Sequence, residues 1–194
     1  MDGFERRRKQ KSDTILNTAL KMFMENGIKE VSVSEIAEKA NVSQVTIYNY
    51  FKSKDNLARQ VLIYYVDRIW SEYEELLGTN IAFPEKIEQI IFDKKEVASH
   101  IHEDFYTYLM KEYTSEGNYI ERLYNEKALP TFIQLFEEGK RQGFVDPSIS
   151  NEAILFFIQM FKEYLQRDAL SKSILPLTEE LTKLFFYGIM GKRD

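Results

Sequence analysis

Residues 32–57, SVSEIAEKANVSQVTIYNYFKSKDNL, constrain this chain more than any other stretch, because they spell two short helices joined by a tight turn, with a third helix starting directly after. Ser32 is spaced to cap the first helix, and Glu35, three residues on, can reach back to complete a capping box, so the helix begins at about Val33. Ile36, Ala37 and Ala40 share its inward face, while Glu35, Glu38 and Lys39 share the opposite one. Asn41 ends it, since asparagine tolerates left-handed backbone, and Val42 can tuck beneath the turn. Ser43 then caps a second helix, roughly Gln44 to Tyr50, with Ile47 and Phe51 inward and Val45, Thr46, Tyr48 and Asn49 outward.

Amide, hydroxyl, phenol and methyl groups on one exposed helix face suit base edges and phosphates. Glutamine pairs with adenine in two hydrogen bonds, and apolar groups touch the thymine methyl. This is the composition of a recognition helix, and the helix-turn-helix spans about 33–51. Ser53 caps the third helix, whose first turn holds Lys54, so a helix N-terminus and an ammonium point toward one phosphate of double-stranded DNA.

The segment from about Lys11 to Leu62 resembles the N-terminal DNA-binding domain of the TetR family of bacterial transcriptional regulators. The likeness is carried by Phe23 and Gly27 in the first helix, Ile36-Ala37, Val42-Ser43, and the run Ile47-Tyr48-x-Tyr50-Phe51-x-Ser53-Lys54. Asn41 departs from the family's usual glycine but reaches the same left-handed turn. By position, the resemblance implies Gln44, Val45 and Thr46 at base edges and Tyr48 at a base or a phosphate. Asn49, Tyr50 and Lys54 would lie near the backbone, and Ser43 is a cap first and a contact second. Tyr48 and Tyr50 as packing residues, and Asn49 as a solvated surface residue, are the competing readings.

The net charge of −5 looks wrong for a DNA binder until it is divided. Residues 1–54 carry +3 and residues 55–194 carry −8, so the basic excess travels with the reading segment. Its densest part, Arg6 to Lys11, is expected to lie along phosphates or to enter an adjacent minor groove as an arm; a solubilising tail is the alternative. A scaffold helix follows from about Ser12 to Asn26, with Ile15, Leu16, Ala19, Leu20 and Phe23 in one stripe and Gly27 ending it.

These features divide the chain into a three-helix DNA-binding domain, 1–54, and a larger helical domain, 55–194, in an all-α fold. The pattern from Lys54 runs to about Leu77, through Leu57, Val61, Leu62, Tyr65, Ile69 and Tyr73, and further helices are expected at 84–92, 94–114, 118–142 with a break before Pro130, 150–170 and 176–190. Two apolar stripes stand out near the C-terminus: Ala153, Ile154, Phe157, Ile158, Phe161 and Leu165, then Leu177, Leu181, Leu184, Phe185 and Gly188, widened by Phe156 and Phe186. They are more than one small domain needs. The resemblance implies a homodimer through these two helices, which lets two short recognition helices read two half-sites.

Zero cysteines exclude disulfides and thiolate metal sites and fit a reducing cytoplasm, and no apolar run approaches the length of a membrane span. Aromatics of the larger domain, among them Phe105, Tyr106, Tyr113, Tyr124 and Phe136, can line an apolar pocket or simply fill a core. The resemblance implies a repressor released from its operator by a small apolar or aromatic ligand. The alternatives are a DNA-binding regulator or architectural factor without a small-molecule effector, and a metal-dependent enzyme. The enzyme reading rests on His100, His102, Glu103 and Asp104 alone, where residues two apart point to different sides of a helix. No GxSxG, P-loop or Gly-rich dinucleotide loop is present, and no cofactor is expected.

Overall fold

A computed structural model describes residues 3–115, 117–165 and 175–190, and among them no strand occurs. The helices are α1 (Gly3–Asn26), α2 (Val33–Lys39), α3 (Gln44–Phe51), α4 (Lys54–Leu77), α5 (Phe83–His100), α6 (Glu103–Thr114), α7 (Tyr119–Leu123), α8 (Leu129–Gln142), α9 (Asn151–Leu165) and α10 (Thr178–Met190). The all-α expectation therefore holds. The expected end of the ninth helix, 166–170, lies outside the described residues, as do the Phe161 and Leu165 side chains.

The described chain packs as two units. The first comprises the residues up to Ile69 together with Ile101–Tyr106, and the second comprises Trp70–His100 and the residues after Tyr106. In the first unit, α1 buries the five residues that its stripe foretold, Ile15, Leu16, Ala19, Leu20 and Phe23. With them are buried Ile36 and Ala37 from α2, Ile47 and Phe51 from α3, and Leu57, Ala58, Val61, Leu62 and Tyr65 from α4. Ile101 and Phe105 join this unit from far along the chain, and Phe105 packs its ring edge-on against Tyr65 at 5.9 Å.

Three boundaries differ from the sequence expectation. Helix α1 begins at Gly3 rather than near Ser12, so Arg6–Lys11 form helical turns and not an extended arm. Arginine, lysine and glutamine are good helix formers, and nothing between Gly3 and Asn26 interrupts them. Helix α5 runs unbroken through residues 92–94, where Gln89 Nε2 donates to Asp93 Oδ1 at 2.8 Å along the same face. The break comes instead at Ile101-His102, where the His102 N–H leaves the helical ladder and donates to Met24 O at 2.7 Å. His102 Nδ1 then caps α6 by accepting the Asp104 N–H at 3.1 Å, a role histidine seldom signals. The interruption before Pro130 is present as a π-helical turn at Tyr124–Ala128, which accommodates a residue with no N–H to donate.

The second unit is built around Phe83, Ile87, Ile90, Ile91, Leu135, Phe136, Val145, Ile154 and Phe186. Gly139 lets this core close, because a Cβ there would meet Val145 Cγ2 at 2.7 Å and Phe83 Cε2 at 2.8 Å. One charge sits inside it. Lys86, 2 % exposed, donates from Nζ to Leu77 O at 3.0 Å and to both oxygens of Glu138 at 3.1 and 2.9 Å. The ammonium thus satisfies a carbonyl at the end of α4 and ties α5 to α8.

A buried ammonium stripped of its carboxylate partner is costly, so Glu138→Ala is expected to destabilise the protein by about 3–5 kcal/mol, whereas Lys86→Met with Glu138→Leu is expected to be near neutral. Urea unfolding at fixed protein concentration measures both. Equal losses for the two variants would contradict the assignment.

Candidate nucleic-acid interface

The reading elements are held by their own polar ends. Ser32 Oγ accepts the Glu35 N–H at 3.2 Å, while Glu35 Oε2 accepts the Ser32 N–H at 2.7 Å and the Ser32 hydroxyl at 2.6 Å, which completes the capping box. These bonds, the hydroxyl's first and the backbone N–H's second, hold the Glu35 carboxyl below its ordinary range. At the other end Asn41 takes φ +53°, as its sequence position demands. The Asn41 N–H donates to Glu38 O and the Val42 N–H to Ala37 O, the two bonds of a Schellman turn.

Ser43 Oγ accepts the Thr46 N–H at 3.1 Å and lies 2.9 Å from the Thr46 hydroxyl, so both hydroxyls are engaged at the start of α3. With Ile47 and Phe51 buried, Gln44, Val45, Tyr48 and Asn49 remain exposed on the opposite side. Val45 is 67 % exposed and Tyr48 45 %. Gln44 Nε2 donates to Ser34 Oγ of α2 at 2.9 Å, which orients the amide and, among the described residues, leaves its carbonyl oxygen and second N–H unspent.

Tyr50 differs from its neighbours. It is half-buried, with its ring 6.0 Å from that of Phe51 and the Arg8 guanidinium 5.8 Å above it. Arg7, Arg8 and Lys11 of α1, together with Asn41, Asn49 and Tyr50, line an open groove of about 770 Å³. Helical geometry thus sets part of the basic run beside the reading helix. Lys54 is half-buried, and its Nζ donates to Lys29 O at 3.0 Å, which spends one of its three donors.

Two contacts beside α3 escaped the sequence reading. Ser34 showed no sign of its contact with Gln44. Lys52, exposed and at φ +68° directly after α3, sends its Nζ to Asn49 O at 3.2 Å, and the Phe51–Ser53 junction was its only signal. Among the described residues, no group of three or more His, Asp or Glu side chains is gathered as metal ligands, and no helix is long and apolar enough to cross a membrane. His100 Nδ1 lies 2.9 Å from Glu96 O, and Asp104 serves backbone amides.

Comparison with known proteins converges on one family. The family described as bacterial regulatory proteins, tetR family, matches residues 15–61. The HTH-type transcriptional repressor KstR2 of Mycolicibacterium smegmatis is 24% identical over 151 residues, covering 76% of this chain and 73% of the repressor. Among solved structures, the regulator FadR of Bacillus subtilis, crystallised with stearoyl-CoA, superposes with a TM-score of 0.57 at 20% identity, covering 91% of this chain and 98% of FadR. FadR of Bacillus halodurans gives 0.58 at 19% identity, covering 91% and 98%. With the capped helix-turn-helix and the all-α fold, these likenesses place at residues 15–61 a DNA-binding domain of the kind found in the TetR family of bacterial transcriptional regulators, on a chain that shares the fold of such regulators.

Proposed function

We propose that this chain is a cytoplasmic homodimeric repressor that grips a two-fold DNA operator and is released by a small apolar or aromatic ligand. Residues 1–54 read DNA, and residues 55–194 bind the ligand and dimerise. The observation that carries the reading is the solvent-facing side of α3, where Gln44, Val45, Tyr48 and Asn49 stand clear of the core on a helix capped by Ser43. Gln44 and Val45, with Thr46 beside them, meet base edges. Tyr48 meets a base or a phosphate, Asn49, Tyr50 and Lys54 meet the backbone, and the groove lined by Arg7, Arg8 and Lys11 takes a neighbouring phosphate run.

Dimerisation is supported by apolar surface that a monomer has no use for. Phe156, Met160, Leu184 and Tyr187 are 68, 50, 69 and 51 % exposed on α9 and α10, and Phe157 stacks on Phe185 at 5.7 Å beside them. A second copy related by two-fold symmetry covers this face and supplies the second reading helix. Ligand response is supported by two buried donors that lack a partner among the described residues, the Trp70 indole N–H and the Thr107 hydroxyl, in an aromatic-rich unit. FadR of Bacillus subtilis holds stearoyl-CoA on the same fold.

Selection from a randomised duplex pool tests the reading: it is expected to return a pseudo-palindrome, and an unstructured consensus would contradict it. On the selected duplex, Gln44→Ala should change base preference at one position in each half-site, at a cost of about 1–3 kcal/mol. Equal loss on all sequences would remove Gln44 from base reading. Leu184→Glu should sediment as a monomer at micromolar concentration and lose selective binding, and a dimer in that variant would place the interface elsewhere.

A further inference from the structure

The loop after α1 is held by a residue that lies 75 positions further along the chain. Asp104 Oδ2 accepts the Ile28 N–H at 2.8 Å and the Lys29 N–H at 3.0 Å, and Oδ1 lies 3.3 Å from Lys29 Nζ. The ammonium contact is weak, because the Lys29 side chain is 84 % exposed, so the two amide bonds do most of the holding. Burial alone would push the Asp104 carboxyl up. The bonds from the Lys29 backbone and side chain and from the Ile28 N–H outweigh it, and the group sits below the ordinary carboxylate range, ionised at neutral pH.

The surroundings leave this carboxylate little freedom. Ile101 and Phe105 are buried on either side of it, and the His102 N–H is fixed on Met24 O. Gly27, at φ +81°, admits the approach: a Cβ there would meet His102 Nδ1 at 2.7 Å and Asp104 Cβ at 3.1 Å. The far side of the same loop faces the reading head. Lys29 gives its N–H to Asp104 and accepts Lys54 Nζ on its C=O, so the backbone of one residue joins the carboxylate to the ammonium at the start of α4.

We propose that Asp104 is a positioning residue for DNA binding, which aims Lys54 at its phosphate by fixing the 27–29 loop, although it touches no DNA itself. The inference rests on the reading of Lys54 as a phosphate contact. DNA affinity thereby depends on a segment that lies in sequence between α5 and the body of α6. The sign of the effect separates this role from simple electrostatics. Removing a negative charge beside a DNA-binding surface strengthens binding on Coulombic grounds. Loss of positioning weakens it.

The test is a double-mutant cycle on the full-length protein, with operator affinity measured by fluorescence anisotropy over a range of salt concentrations. Asp104→Asn should lower affinity by roughly threefold to tenfold, on the order of one phosphate contact, and flatten the salt dependence as Lys54→Ala does. In the Lys54→Ala background Asp104→Asn should then have no further effect, a result that general destabilisation does not produce. Affinity at or above wild type in Asp104→Asn, or a loss that persists undiminished without Lys54, overturns the positioning role. Lys54→Ala binding at wild-type strength overturns the phosphate contact and the positioning role with it. Should circular dichroism show Asp104→Asn unfolded, Asp104→Glu, which moves the carboxylate by one methylene, replaces it in the same cycle with the same expected loss and the same dependence on Lys54.

Discussion

An eight-residue helix does not stand by itself in water, and recognition by this protein depends on making one stand. Two things achieve it. The Ser43 hydroxyl satisfies an amide at the first turn of α3, and burial of Ile47 and Phe51, 1 and 4 % exposed, anchors one face against the first unit. Each apolar side chain so buried contributes about 1.5–3 kcal/mol, far more than the helix's own propensity. The other face then carries Gln44, Val45, Tyr48 and Asn49 in solvent.

The same logic organises the polar groups around α3. Ser32 and Glu35 satisfy each other at the start of α2, Ser34 orients Gln44, and Lys29 receives Lys54. A side chain held before DNA arrives loses less rotamer entropy on binding, which is how short helices achieve useful affinity. Arg8 over Tyr50 extends the arrangement to α1, whose basic turns line a groove beside the reading helix rather than trailing into solvent.

What the sequence made legible was local. Ser32 with Glu35, Asn41 in left-handed backbone, Ser43 as a cap and the five-residue stripe of α1 all express rules that act within one or two turns, and each stands where it was expected. The break at Ile101-His102 follows a different rule, because His102 leaves its helix for Met24, a partner 78 residues away that no local pattern names. The unbroken α5 and the helical Arg6–Lys11 have a simpler cause, since no Gly or Pro marks a stop in either place. Within the reading site, the exposed face of α3 was legible from its period, whereas the engagement of Gln44 by Ser34 and of Lys54 by Lys29 joins residues 10 and 25 apart and needed the fold.

Selective, charge-dependent recognition of duplex DNA is the property that a capped, exposed α3 beside a basic groove must deliver. The most direct measurement is the affinity of the purified protein for its selected duplex and for a scrambled duplex of equal composition, by fluorescence anisotropy at several salt concentrations. Tight binding to the first alone is expected, with affinity falling linearly in log–log salt as phosphate-bound counterions are released. Equal binding to both duplexes, or binding indifferent to salt, would contradict it.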